Sequence, residues 1–239
     1  MIDTHAHLDA CDVPAGELVA RARTAGVERV ITIGSGIESC RAALGIAHAN
    51  DGVEAALGIH PHQAASAEAD RLDELRELLD DERSVAVGEI GLDYYRDWAP
   101  RDRQRVVFER QLALAADLRK PIVIHARDSE QDVLDVLAGF DGTVVLHCFS
   151  APPFLETAVE RGYFVSFAGN VTFPKAEELR AAAARVPDEL ILAETDSPYL
   201  APQPLRGKPN EPANVVHTLA TRIEANASAA FGLPVAAPR

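Results

Sequence analysis

The chain has 239 residues, with 23 basic against 37 acidic side chains, and its formal net charge is −14 with eight histidines counted as neutral. A hydrophobic share of 47%, a charged share of 25%, 15 Gly and 15 Pro are ordinary for a globular protein and exclude disordered, collagen-like and fibrous classes. So acidic a chain is repelled by bulk polyphosphate, and any activity on nucleic acid has to come from a local site containing cations.

The three cysteines, Cys11, Cys40 and Cys148, have no CxxC spacing and no even-numbered framework, which points to a reducing, cytoplasmic setting. The polar start at Met1–His7 carries no signal-peptide pattern, and the longest apolar runs fall far short of the roughly 18 residues of a spanning helix. One domain is expected over residues 1–232, with a loosely held tail at 233–239 rich in Ala and Pro.

In chain order, eight β-branched runs alternate with segments that repeat apolar residues at helical spacing. Strands are expected at Ile2–His5, Arg29–Ile33, Ala55–Ile59, Val85–Glu89, Ile122–His125, Val144–His147, Phe164–Phe167 and Leu190–Ala193. Helices are expected between them, at Pro14–Ala25, Glu38–Ala49, Ala69–Asp81, Arg101–Arg119, Glu130–Ala138, Pro153–Arg161 and Lys175–Arg185, with a last one after Pro212. Pro14, Pro153 and Pro174 stand near helix starts and Gly26 stands where a left-handed stop belongs. Eight such units predict an α/β fold, a (β/α)8 TIM barrel, rather than an open doubly wound sheet. No GxGxxG or GxxxxGK follows any strand, so no nucleotide cofactor cradle is expected.

Side chains at i and i+2 of a strand share a face, so His5 and His7 point the same way at the end of the first strand. An HxH pair alone is weak, but the other strand ends add Glu89, His125, His147 and Asp196. All six are metal-ligand types at the C-terminal ends of strands, where enzymes of this fold keep their active sites. Burying four histidines and two acids without cations carries heavy desolvation costs, which disfavours a purely structural cluster. Six ligands exceed the needs of one catalytic ion, so two divalent ions are expected with Glu89 as the bridge; Zn, Mn, Fe, Ni and Mg all suit the donor set.

The stretches Ile2–Leu8, Gly58–His62, Gly88–Asp93, Pro121–Arg127, Leu146–Ser150, Glu194–Leu200 and Arg206–Pro212 closely resemble the TatD family of metal-dependent deoxyribonucleases within the amidohydrolase superfamily. The resemblance implies a TIM barrel with a one- or two-metal site whose ligands are His5, His7, Glu89, His125, His147 and Asp196. It also implies a pocket role for His60, of the GxHPH motif, and for Glu194, before the last ligand; for His60 the alternative is a plain loop histidine. His48, His62 and His217 are read as surface or structural. In one respect the chain departs from the family: only 16 positions separate Asn210 from Asn226, where a longer two-helix stretch is usual. All ligands lie upstream, so what this puts in doubt is the cover of the first and eighth strands.

The leading expectation is hydrolysis of DNA phosphodiesters by water activated at two cations, exonucleolytic on single strands or ends, with Asp196 receiving the proton, assisted by Glu194. Arg96, Arg101, Arg103, Arg127, Arg206 and Lys208 lie on loops of the same face; Arg127, Arg206 and Lys208 are the stronger phosphate partners, and Arg101 and Arg103 read as ordinary surface charges. Tyr94, Tyr95 and Trp98 form an aromatic cluster, either a stacking platform or a hydrophobic lid. Cys148 reads as a small core residue. Two other functions compete: a metal-dependent ester or amide hydrolase acting on an aminoacyl-nucleic acid or small molecule, and a noncatalytic metal-containing binding protein.

Overall fold

A computed structural model describes residues 1–96, 98–218 and 224–233. Among them, in chain order, lie β1 Ile2–Ala6, α1 Ala15–Thr24, β2 Arg29–Gly34, α2 Ile37–Ala49, β3 Val53–Leu57, α3 Leu72–Leu79, β4 Ser84–Asp93 and α4 Arg101–Leu118. There follow β5 Ile122–Arg127, α5 Glu130–Val136, β6 Val144–Leu146, α6 Leu155–Glu160, β7 Phe164–Phe167, α7 Glu177–Ala183, β8 Ile191–Ala193 and α8 Glu224–Phe231. The strands form one sheet in the order β1 to β8, and Ala6 bridges Ser197 just past β8; the fold class is the (β/α)8 TIM barrel. Among the described residues no helix is long and apolar enough to cross a membrane.

The chain divides into two compact units, Met1–Ile31 with Cys148–Arg239, and Thr32–His147. In the first, β1 is fully buried, and Asp3 ties it to the segment after β8: the Thr195 N–H donates to Asp3 Oδ1 at 2.8 Å and the Thr195 hydroxyl to Oδ2 at 2.6 Å. The Asp196 N–H then donates to the His5 carbonyl at 2.9 Å and the His7 N–H to the Ser197 carbonyl at 2.7 Å. Burial pushes the Asp3 carboxyl up to about 8. Asn210, buried in the Arg206–Pro212 motif, donates to the Thr195 and Tyr199 carbonyls at 2.8 and 2.6 Å and so fixes the same segment from its other side.

In the second unit α4 turns Val107, Phe108, Leu112 and Ala115 inward, and two glutamines seven residues apart, Gln104 and Gln111, join that stripe. Each amide matches a peptide group. Gln111 accepts the Ile59 N–H at 2.7 Å and donates to the Ile59 carbonyl at 3.0 Å; Gln104 does the same at Asp93, at 2.8 and 3.0 Å. The last residue of β4 and the residue before His60 are thereby fixed to one helix.

Several boundaries differ from those expected. β4 runs four residues past Glu89, because its parallel pairing with β5 resumes after a register shift and continues to Asp93 opposite Arg127. Two glycines permit that approach: a Cβ on Gly88 would meet the Val123 Cβ at 2.6 Å, and one on Gly91, whose φ is +139°, would meet the His125 carbonyl oxygen at 2.1 Å. β3 ends at Leu57 rather than Ile59, since Ile59 pairs with Gln111. β6 stops at Leu146, so His147 stands just beyond it. Ala67–Asp70 forms a separate 3₁₀ turn, and α3 starts only at Leu72. The helix expected after Pro212 divides into a 3₁₀ segment, Pro212–His217, and α8; residues 219–223, at the shortened stretch, and 234–239, nearly all of the tail, lie outside the described residues. Cys148, expected in the core, is only half-buried and has a φ of 44°, because it follows the end of β6 instead of belonging to it.

Candidate metal centre

Each unit gathers its own group of ligand-type side chains. In the first, His5 Nε2 and His7 Nε2 lie 3.3 Å apart and face Asp196 Oδ1 at 3.9 and 3.6 Å. Donor atoms about 2.0–2.1 Å from one tetrahedral ion stand about 3.3 Å from each other, so the two imidazoles are already at the separation that a shared cation imposes. The strand period of two brings the histidines to one face, and the pairing of β1 with residues 196–197 brings the carboxylate to them. Asp196 has a φ of 54°, which marks the sharp turn out of β8.

In the second unit Glu89, His125 and His147 offer donor atoms all within 4.8 Å of one another. Glu89 is 2% exposed, and its Oε1 lies 2.6 Å from His125 Nδ1, 3.4 Å from His147 Nε2 and 3.5 Å from His60 Nε2. A buried carboxylate facing three imidazoles has the donor chemistry for a divalent cation. The first group fits such an ion equally.

Two residues without an expected role belong to this second group. Asp93 is fully buried; its Oδ2 lies 3.1 Å from His125 Nε2 and 2.8 Å from His62 Nε2, and its Oδ1 accepts the Tyr95 and Arg96 N–H groups at 3.0 and 2.8 Å. Glu89 and Asp93 therefore take the two ring nitrogens of His125 between them, an arrangement that orients a metal-binding imidazole. Burial alone would raise Asp93 and lower His125. The hydrogen bonds from His125, the Arg96 N–H and His62 hold the Asp93 carboxyl well below the usual carboxylate range, and those to Asp93 and Glu89 raise His125.

His62, read from sequence as surface or structural, is half-buried against this second group. Pro61 opens a 3₁₀ turn, Pro61–Gln63, that folds His62 back beside His60, with ring centroids 4.3 Å apart. The His62 N–H donates to His60 Nδ1 at 3.1 Å, so the neutral His60 ring carries its proton on Nε2, toward Glu89. Burial pulls His60 down to about 4, which keeps it neutral, and it also lowers His62.

The remaining candidates divide clearly. Glu194 is buried; its Oε1 accepts the Cys148 N–H at 2.8 Å and its Oε2 the Ser166 hydroxyl at 2.6 Å. Arg127 lies over the exposed Tyr95 ring, its Cζ 3.8 Å from the centroid. Arg206 covers Phe173 at 4.1 Å, and Lys208 is exposed. Arg103 bonds Asp70 and the Ala64 carbonyl, while Arg101 lies over Tyr94, whose hydroxyl donates to Asp132 at 2.7 Å. His48 is an exposed partner of Asp81, and His217 is exposed.

Comparison with known proteins agrees with this chemistry. The family model described as TatD related DNase matches residues 2–230. The metal-dependent hydrolase TatD of Mycobacterium tuberculosis is 40% identical over 233 residues, covering 92% of this chain and 88% of its own. A 3'-5' ssDNA/RNA exonuclease TatD of Klebsiella pneumoniae is 34% identical over 214 residues, 86% of this chain and 81% of that one. The crystal structure of YjjV, a TatD homolog from Escherichia coli K12, superposes with a TM-score of 0.85 at 30% identity, covering 98% of this chain and 92% of that one. Hydrolases among the relatives set aside the noncatalytic alternative. With its two groups of imidazole and carboxylate donors and these likenesses along nearly its whole length, the chain belongs to the TatD related DNase family and is a metal-dependent hydrolytic enzyme.

Proposed function

We propose that this hydrolase cleaves phosphodiester bonds of DNA, working from the ends of single strands, with two divalent ions, one held by His5, His7 and Asp196 and the other by Glu89, His125 and His147. The observation that carries the reading is the pair of donor groups, each with the spacing and chemistry of a cation site. The Klebsiella pneumoniae relative's name, a single-strand exonuclease, supports the substrate class. When bound, divalent cations offset phosphate charge, stabilise the charge that develops on phosphorus oxygens and make water nucleophilic near neutral pH.

The chain's own residues supply the rest. Asp196 presents Oδ1 toward the two histidines and is the group to receive the proton of the attacking water. His60, neutral with its Nε2–H aimed into the Glu89 group, is a donor for an oxygen of the scissile phosphate. Glu194 has both oxygens engaged and acts by fixing the Cys148 turn and β7 rather than by moving a proton. Arg127, Arg206 and Lys208 are the cations for flanking phosphates, and Tyr95 faces the strand.

The test is incubation of protein stripped with a chelator and then reloaded with Mg, Mn, Zn, Fe or Ni, one at a time, with end-labelled single-stranded DNA. Stepwise shortening that needs metal and is lost in Glu89→Gln is expected. Intact DNA beside cleaved aminoacyl ester would replace this reading with that of an ester hydrolase.

A further inference from the structure

We propose that Tyr95, Arg96, Trp98 and Arg127 form a subsite that grips one unpaired nucleobase of a single-stranded nucleic acid beside the Glu89–His125 group; this rests on the phosphodiesterase reading above. Tyr95 is 57% and Trp98 64% exposed, two of the few large apolar side chains left in water among the described residues, and they stand between β4 and α4. Such surface beside cations is a recognition feature rather than a packing remnant. The Arg127 Cζ is 3.8 Å from the Tyr95 ring centroid, and the Arg96 Cζ is 5.5 Å from that of Tyr95 and 5.7 Å from that of Trp98. Among the described residues neither guanidinium has an ion-pair partner, although the chain carries an excess of acids.

The loop is registered on the donor group rather than merely near it. Trp98 packs on His62 with ring centroids 4.4 Å apart; His62 bonds Asp93, and Asp93 bonds His125. The other oxygen of Asp93 holds the Tyr95 and Arg96 N–H groups, so a single buried carboxylate positions both the ligand and the loop. With Arg127 seated over the Tyr95 ring, the patch joins π surface to guanidiniums, which matches a base next to its phosphates, and only an unpaired base offers its face to such a patch. A base paired within a duplex keeps both faces inside the stack.

Trp98 is the sole tryptophan of the chain, so its emission reports this site alone. Magnesium-loaded full-length protein is titrated with phosphorothioate-linked oligothymidylate, which resists hydrolysis. The comparison strands are one of equal length and charge without bases and a blunt duplex, and anisotropy of a labelled strand gives the affinity in parallel. Saturable change of Trp98 emission by the base-containing strand is expected, with binding about tenfold tighter than that of the abasic strand and the advantage lost in Tyr95→Ala. Equal affinity for the abasic strand, unchanged emission on binding, or no saturable binding overturns the subsite. Turnover of bis(4-nitrophenyl) phosphate by the wild-type protein separates the two ideas. If it persists while bases prove irrelevant, the subsite alone falls; if no diester is cleaved, the phosphodiesterase reading falls.

Discussion

Replacing Asp93 by Asn removes one charge and changes almost no volume, which makes it a sharp probe of the metal group. The Asn oxygen keeps the two backbone donors of Tyr95 and Arg96, but an NH2 then stands where Oδ2 faced His62 Nε2 at 2.8 Å and His125 Nε2 at 3.1 Å. His125 Nε2 must now accept, its proton moves to Nδ1, and the nitrogen facing Glu89 no longer offers a lone pair. Loss of such an orienting carboxylate typically costs 10–100-fold in metal affinity, about 1.4–2.7 kcal/mol. Isothermal titration of metal-stripped protein is the assay: one of two binding events is expected to weaken by that factor while the other is retained. Wild-type affinity at both sites in folded Asp93→Asn protein would refute the orienting role of Asp93.

Two further substitutions bear on stability. Gly91→Ala places a methyl 2.1 Å from the His125 carbonyl oxygen at a φ of +139°, and overpacking plus backbone strain sum to about 2–6 kcal/mol of lost stability, read from the urea midpoint; a loss below about 1 kcal/mol contradicts the close approach of β4 and β5. Burial raises the Asp81 carboxyl, but the hydrogen bonds it accepts from His48 and from the Arg83 N–H outweigh that and hold it below the ordinary carboxylate range. A depressed carboxylate stabilises the fold above its unfolded value and stops doing so as pH falls through its folded value. Asp81→Asn should therefore flatten the acid limb of the stability curve by under about 1 kcal/mol, measured by urea melts from neutral to acid pH.

The candidate donors are legible because the two-residue strand period and the expected strand ends are written in residue type: HxH at β1, then an acid or a histidine near the end of β4, β5, β6 and β8. Asp93 was not, because expecting β4 to stop at Glu89 leaves Asp93 in a loop, whereas the continued strand sets both acids against one imidazole. The placement of His62 beside His60 is not legible for a related reason: a separation of two suggests a shared face only in a strand, and here a proline-started turn does the same work. Gln104 and Gln111 left a faint signal, as uncharged polar residues seven apart within the apolar stripe of a helix. Their partners are peptide groups far along the chain, which no local pattern encodes.

Those glutamines give α4 a part that a neighbouring strand ordinarily plays, since each terminal amide offers a donor and an acceptor to a peptide as a β partner would. Being uncharged, they do so without titrating. Protonation of the neighbouring carboxylates therefore leaves the donors and acceptors of these four hydrogen bonds unchanged, and what holds the backbone at Ile59 and Asp93 to α4 is independent of pH.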